Sequence, residues 1–154
     1  MNESINDAAV YAVKFLEDIL SFFGLNLSVD STIDEEVIQL NVQSSQMNGF
    51  LIGQKAENMR AFQFLVSMAL RNNNFKYNRV YIDIADYKKH QADKIKQKYE
   101  KIMVDVRDND KTIDLEPMNS ADRRVVHQMA VEYGLSSESV GEGKDRHIVL
   151  KKAD

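Results

Sequence analysis

The chain has 154 residues, 44% of them hydrophobic and 29% charged, with six glycines and one proline, a composition that excludes collagen, low-complexity disorder and a coiled-coil rod. Cysteine is absent, no apolar run approaches the roughly 18 residues a membrane span needs, and the acidic start is unlike a secretory signal, so a cytoplasmic protein without membrane insertion or disulfides is expected. The net charge of −4 hides a gradient: residues 1–44 carry one cation against eight acids, whereas residues 45–81 and 88–101 each sum to +4.

Ala9, Val13, Leu16, Leu20 and Phe23 recur at three- and four-residue spacing and predict a helix over 7–23, closed by Gly24. Alternation predicts strands at Leu25–Ser31 and Val37–Val42, joined as a hairpin through Asp34-Glu35-Glu36. A short helical piece around Gln46–Leu51 leads into Gly53-Gln54-Lys55-Ala56. A second helix then runs from Glu57 to Arg71, with Met59, Phe62, Val66 and Ala69 on one face. Arg79–Ala85 reads as a third strand, so the order to this point is α-β-β-α-α-β.

Asp86 is placed as the N-cap of a long helix reaching Val106, in which Ile95, Tyr99, Ile102 and Val106 form the apolar stripe and lysines occupy the rest. Thr112–Leu115 is a short strand stopped by Pro117. Asn119 caps a helix with Val126, Met129, Ala130 and Tyr133 on one face and Gly134 at its end. Ser136–Val140 and His147–Lys151 form a final strand pair. Two small α+β modules, residues 1–85 and 86–154, are the economical division.

Salt screens charges beyond roughly 8–10 Å, so local basic neighbourhoods can serve a charged ligand in an acidic protein. In Gly53-Gln54-Lys55-Ala56, small residues between two helical segments allow close approach of a ligand backbone. Amides at the start of the second helix favour a phosphate, and Lys55 adds a full charge, with Arg60 about one turn further on. The same residues also suit a plain helix–helix corner. Arg123 and His127 stand four apart, hence on one helix face, where a guanidinium and an imidazole can grip a phosphate or stack on a base. The competing use of that pair is an ion-paired arginine beside a surface histidine.

Nothing points to catalysis. No nucleotide-binding glycine loop, paired-histidine metal spacing or serine elbow occurs, and His90, His127 and His147 fall in separate elements. No catalytic residue, metal site or cofactor is assigned.

Leu51-Ile-Gly-Gln-Lys-Ala-Glu-Asn-Met-Arg-Ala-Phe-Gln-Phe-Leu-Val66 resembles the Gly-x-x-Gly loop and following helix of a KH domain in the form found in bacterial Jag (KhpB) proteins, and Arg79–Tyr87 continues the likeness. Leu115-Glu-Pro-Met-Asn-Ser-Ala-Asp-Arg-Arg-Val-Val-His127 resembles the helix of an R-3-H domain. The resemblance implies an α+β protein: a type II KH domain (α-β-β-α-α-β) followed by a small R-3-H domain with a three-stranded sheet, the extra N-terminal domain of many Jag proteins being absent. It implies a non-enzymatic, cytoplasmic binder of single-stranded RNA, with single-stranded DNA as a further ligand. By position it assigns Gly53, Gln54, Lys55 and Ala56 to the KH loop, Arg123 and His127 to the signature pair, and Arg146 to a basic position before the last strand. The alternative is an adaptor docking another KH-domain protein or a second copy. Ala56 stands where the family has glycine. If that position is left-handed, its Cβ costs roughly 1–2 kcal/mol; if it is the helix's first turn, alanine is harmless.

Overall fold

A computed structural model describes residues 4–45 and 47–153 and resolves into two units, one ending at Tyr87 and the other beginning at Lys88. Gln46, where the short helical piece was expected to begin, lies outside the described residues.

In the first unit, α1 spans Ile5–Phe22 because Ser4 accepts a hydrogen bond from the Asn6 amide at 3.2 Å, while Gly24, at φ +73°, lets the chain leave. Its buried face is Ala8, Ala9, Ala12, Leu16 and Leu20. Strands β1 (Val29–Asp34) and β2 (Val37–Val42) form an antiparallel hairpin, closed by Glu35 and Glu36, both at positive φ. The first strand therefore starts four residues later than its alternation predicts. Leu25 is buried, but it sits on the irregular approach from α1, and residues 30–34 are an exposed polar edge without an apolar period. Helix α2 (Asn48–Ile52), a 3-10 turn (Gln54–Ala56) and α3 (Glu57–Asn72) follow, and β3 (Val80–Ile84) pairs parallel to β2. The order is α-β-β-α-α-β, with the strands arranged β1-β2-β3. Ile38, Leu40, Val42, Ile82 and Ile84 fill the core against Leu16, Leu20, Val66 and Leu70.

Ala85 and Asp86 both adopt φ near +52°, and helix α4 starts after them at Tyr87 and runs to Asn109. Asp86 thus turns the chain in the left-handed conformation, not the extended one of the N-cap expected there. In the second unit β4 (Ile113–Asp114), α5 (Ser120–Glu132), β5 (Leu135–Val140) and β6 (His147–Lys152) follow, with both strand pairings antiparallel and the sheet ordered β4-β6-β5. A separate core is formed by Ile95, Tyr99, Met103 and Val106 of α4, Val126, Met129 and Ala130 of α5, and Ile148 and Leu150 of β6. The protein is a mixed α+β fold.

Candidate functional site

The turn before α3 is built from an unusual run of backbone conformations. Gly53 has φ 73° and ψ 173°, Lys55 φ 51° and ψ 35°, and Ala56 φ 61° and ψ 28°. Glycine is demanded at position 53 twice over, by its positive φ and because a Cβ would lie 2.8 Å from both the amide nitrogen and Cγ of Asn58. Asn58 Nδ2 donates to the Phe50 carbonyl at 2.6 Å, joining α3 back to α2. Ala56 is left-handed, so its methyl belongs to the strained alternative of about 1–2 kcal/mol; the methyl is buried, which offsets part of that cost.

Arg60 Nη1 donates to the Lys55 carbonyl at 2.7 Å, so this arginine braces the turn while its remaining donors stay exposed. Gln54 and Lys55 are both exposed, and Lys55 has no ion-pair partner among the described residues. No side chain caps α3; the Glu57 amide donates to the Gln54 carbonyl, and the Glu57 carboxylate in the first turn opposes an incoming anion.

In the second unit, Asn119 accepts from the Asp122 amide at 2.9 Å and donates to its carboxylate at 2.8 Å, fixing the start of α5. Arg123 Nη1 donates to the Met118 carbonyl at 2.8 Å, and the Met118 amide donates to the Arg146 carbonyl at 3.2 Å. The Leu-Glu-Pro-Met lead-in is thereby the strap that brings Arg123 and the exposed Arg146 into one neighbourhood. His127 is half-buried, with Nδ1 2.7 Å from Ser137 Oγ and Nε2 3.0 Å from Ser139 Oγ. Beside this row lies an open hollow of about 380 Å³, walled on α5 by Arg123, Arg124, His127 and Gln128 and on β5 by Ser139. Ser120 and Val131 mark its two ends along the helix.

The sequence-assigned residues form two groups, one in each unit: Gly53, Gln54, Lys55, Ala56 and Arg60 at the turn, and, in the second, Arg123 and Arg146 joined through Met118 with His127 beside Arg123 at the hollow. Ser137 and Ser139 were missed. Their i, i+2 spacing on a strand places both hydroxyls on one face, yet nothing local couples that face to a histidine ten residues earlier.

Among the α4 lysines, Lys98 is engaged, whereas Lys89, Lys94, Lys96 and Lys101 are exposed. Lys98 pairs with Glu116 and lies 5.3 Å from the centre of the Tyr99 ring, and just beyond the helix Lys111 grips Asp105. Hydrogen bonds from Lys111 and then Asn109 hold the Asp105 carboxyl below the usual carboxylate range, and that from Arg107 does the same for Asp108. Burial, with the Asp122 charge second, pushes the Tyr99 phenol above its ordinary value. Among the described residues, no group of acids and histidines is arranged to hold a metal ion.

Residues 93–152 match the R-3-H domain. The chain is 27% identical over 144 residues to the RNA-binding protein KhpB of Clostridium symbiosum, covering 90% of this chain and 64% of that protein. It is 30% identical over 103 residues to the KhpB of Bacillus subtilis (strain 168), covering 65% of this chain and 50% of the relative. It is 21% identical over 150 residues to that of Streptococcus pneumoniae serotype 2, covering 97% and 45%. The chain thus spans roughly half to two-thirds of the length of these curated relatives. Similar to the KhpB proteins along most of its length, the chain carries an R-3-H domain in its C-terminal part.

Proposed function

We propose that this chain binds single-stranded nucleic acid, RNA in particular, and does so without catalysing a reaction. The observation that carries the reading is the hollow walled by Arg123, Arg124 and His127 inside the segment that matches the R-3-H domain. The R-3-H match and the relatives' name as RNA-binding proteins agree with it. The first unit is read as a type II KH domain over residues 1–85, in which Gly53, Gln54, Lys55 and Ala56 hold the sugar-phosphate backbone and Arg60 keeps the turn in shape. KH loops of this kind clamp about four nucleotides. Residues 86–154 form the second module, with Arg123, His127 and Arg146 as its binding elements. A single strand suits both, because unstacked bases expose faces and edges that a duplex hides. A cytoplasmic location fits such a ligand.

Titration of a labelled single-stranded RNA against rising salt tests this directly. The logarithm of affinity should fall with that of salt at about −0.7 for each phosphate neutralised. Lys55→Glu and the double change Arg123→Ala/His127→Ala should each weaken binding at least tenfold, measured at a temperature below the thermal transitions of both units in each variant. A salt slope near zero refutes the proposal. Single-stranded DNA run alongside measures how far the 2′-hydroxyl matters.

A second reading has one specific support: Phe64, Leu65 and Met68 on α3 are 63%, 45% and 39% exposed, an apolar face that suits a KH-domain partner or a second copy of the chain. Sedimentation across a concentration series, with Phe64→Glu as control, separates the two readings, since a docking face predicts association that Lys55→Glu leaves intact.

A further inference from the structure

We propose that in the second module the strand is contacted directly by Arg124 and Gln128, the guanidinium taking a phosphate and the amide reading a base edge. The inference rests on the nucleic-acid reading above and deepens it.

The argument starts from what each side chain around the hollow is already doing. His127 has both ring nitrogens within hydrogen-bond distance of serine hydroxyls, at 2.7 Å and 3.0 Å, so its polar edge is engaged by β5. Arg123 is half-buried and ties one arm of its guanidinium to the Met118 carbonyl. These two side chains hold α5 to the sheet and to the lead-in strap. Arg124 and Gln128 line the same hollow, are exposed, and make no side-chain hydrogen bond, ion pair or ring contact with the described residues.

Their spacing matters as much as their freedom. Positions 124 and 128 are i and i+4, on one stripe of α5 and about 6 Å apart along the axis. A guanidinium meets a phosphate through paired N–H donors. A glutamine amide offers an acceptor and a donor side by side, the arrangement that pairs with a base edge. Val131, three residues beyond Gln128 and 77% exposed, continues the stripe with an apolar surface for sugar or base. Charge, amide and apolar patch therefore follow one another along the mouth of a single hollow, in an order that one nucleotide step can satisfy.

The test uses the full chain and four labelled homopolymeric RNA 10-mers, with affinity measured over a salt series. Arg124→Ala should weaken binding about tenfold and make the salt slope shallower by about 0.7, the contribution of one phosphate on a single strand. Arg124→Lys should restore most of that slope, because a point charge still neutralises the phosphate. Gln128→Ala should leave the slope unchanged and flatten the wild-type order of preference among the four homopolymers. Both variants should melt as the wild type does, since neither side chain has a partner to lose. If Lys55→Glu abolishes binding while Arg124→Ala leaves affinity and slope untouched, the inference fails and the wider reading stands. If Gln128→Ala preserves the base preference, or the wild type has none, the amide's role fails. A wild type that binds no RNA overturns both together.

Discussion

At the scale of single residues, the turn before α3 shows how one position can be constrained by two independent demands. Gly53→Ala should destabilise the first unit by about 1–3 kcal/mol, because the new Cβ adds a left-handed strain and meets Asn58 at 2.8 Å, against backbone as well as side chain. Chemical denaturation followed by far-ultraviolet dichroism reads the loss. Ala56→Gly should behave differently. Relief of the left-handed cost, about 1–2 kcal/mol, is offset by the lost burial of a methyl, about 0.8 kcal/mol, and by the greater chain entropy of glycine, about 0.5–1 kcal/mol. The expected net change is within about 1 kcal/mol. A large gain in stability would mean that the methyl is the source of real strain. The motif residues themselves were readable one by one, as residue types at a spacing. Whether Ala56 was left-handed was not, because that depends on the angle at which α2 hands the chain to α3.

At the scale of elements, α5 and β5 are joined through His127, and the strength of that join is measurable. A double-mutant cycle between His127→Ala and Ser137→Ala should return a coupling of about 0.5–1.5 kcal/mol; strict additivity would show the 2.7 Å contact to be energetically idle. The link from α4 to the lead-in strap has a pH signature. Tyr99 is 2% exposed and donates to Glu116 at 2.9 Å, and burial raises its phenol above the ordinary 10.0. A group whose folded value is raised stabilises the fold below its unfolded value, and that contribution disappears as pH climbs through the folded one. The melting temperature of the wild type should therefore fall more steeply above pH 10 than that of Tyr99→Phe, so that any advantage it holds at pH 8 shrinks. Parallel slopes for the two proteins would refute this. Helices α1, α3 and α5 were legible because amphipathic spacing and caps are local. Strand β1 was misplaced because most of its alternating stretch, Leu25 to Ser28, is the irregular crossing from α1 to the sheet, while after Val29 the paired segment is an exposed edge whose side chains carry no period.

At the scale of the whole molecule, two cores with no shared buried residue sit in two units. Leu16, fully buried in the first, predicts a local consequence: Leu16→Ala should lose about 2–5 kcal/mol there. Hydrogen exchange is expected to show β1–β3 losing protection while β4–β6 keep theirs; uniform loss across both sheets would mean the units unfold as one. The charge gradient belongs to this scale too. The basic residues of 45–81 are divided among tasks, with Arg60 bracing a carbonyl, Arg71 donating to Asn78 and Lys76 lying 5.1 Å from the Tyr77 ring centre, which leaves Lys55 as the charge carried at the turn.

By itself, the order of residues determined the helices, the α-β-β-α-α-β succession, the turn at Gly53 and the arginine–histidine helix, since each rests on period, capping or conformational preference within a few neighbours. Only the folded chain decided which of the charged side chains are already engaged. The hydroxyls of Ser137 and Ser139 close on His127, and the Met118 strap takes Arg123, while Arg124 and Gln128 are left open. The serine contacts come from a strand and a helix packed together across ten or more residues of sequence, a distance over which no local pattern carries information.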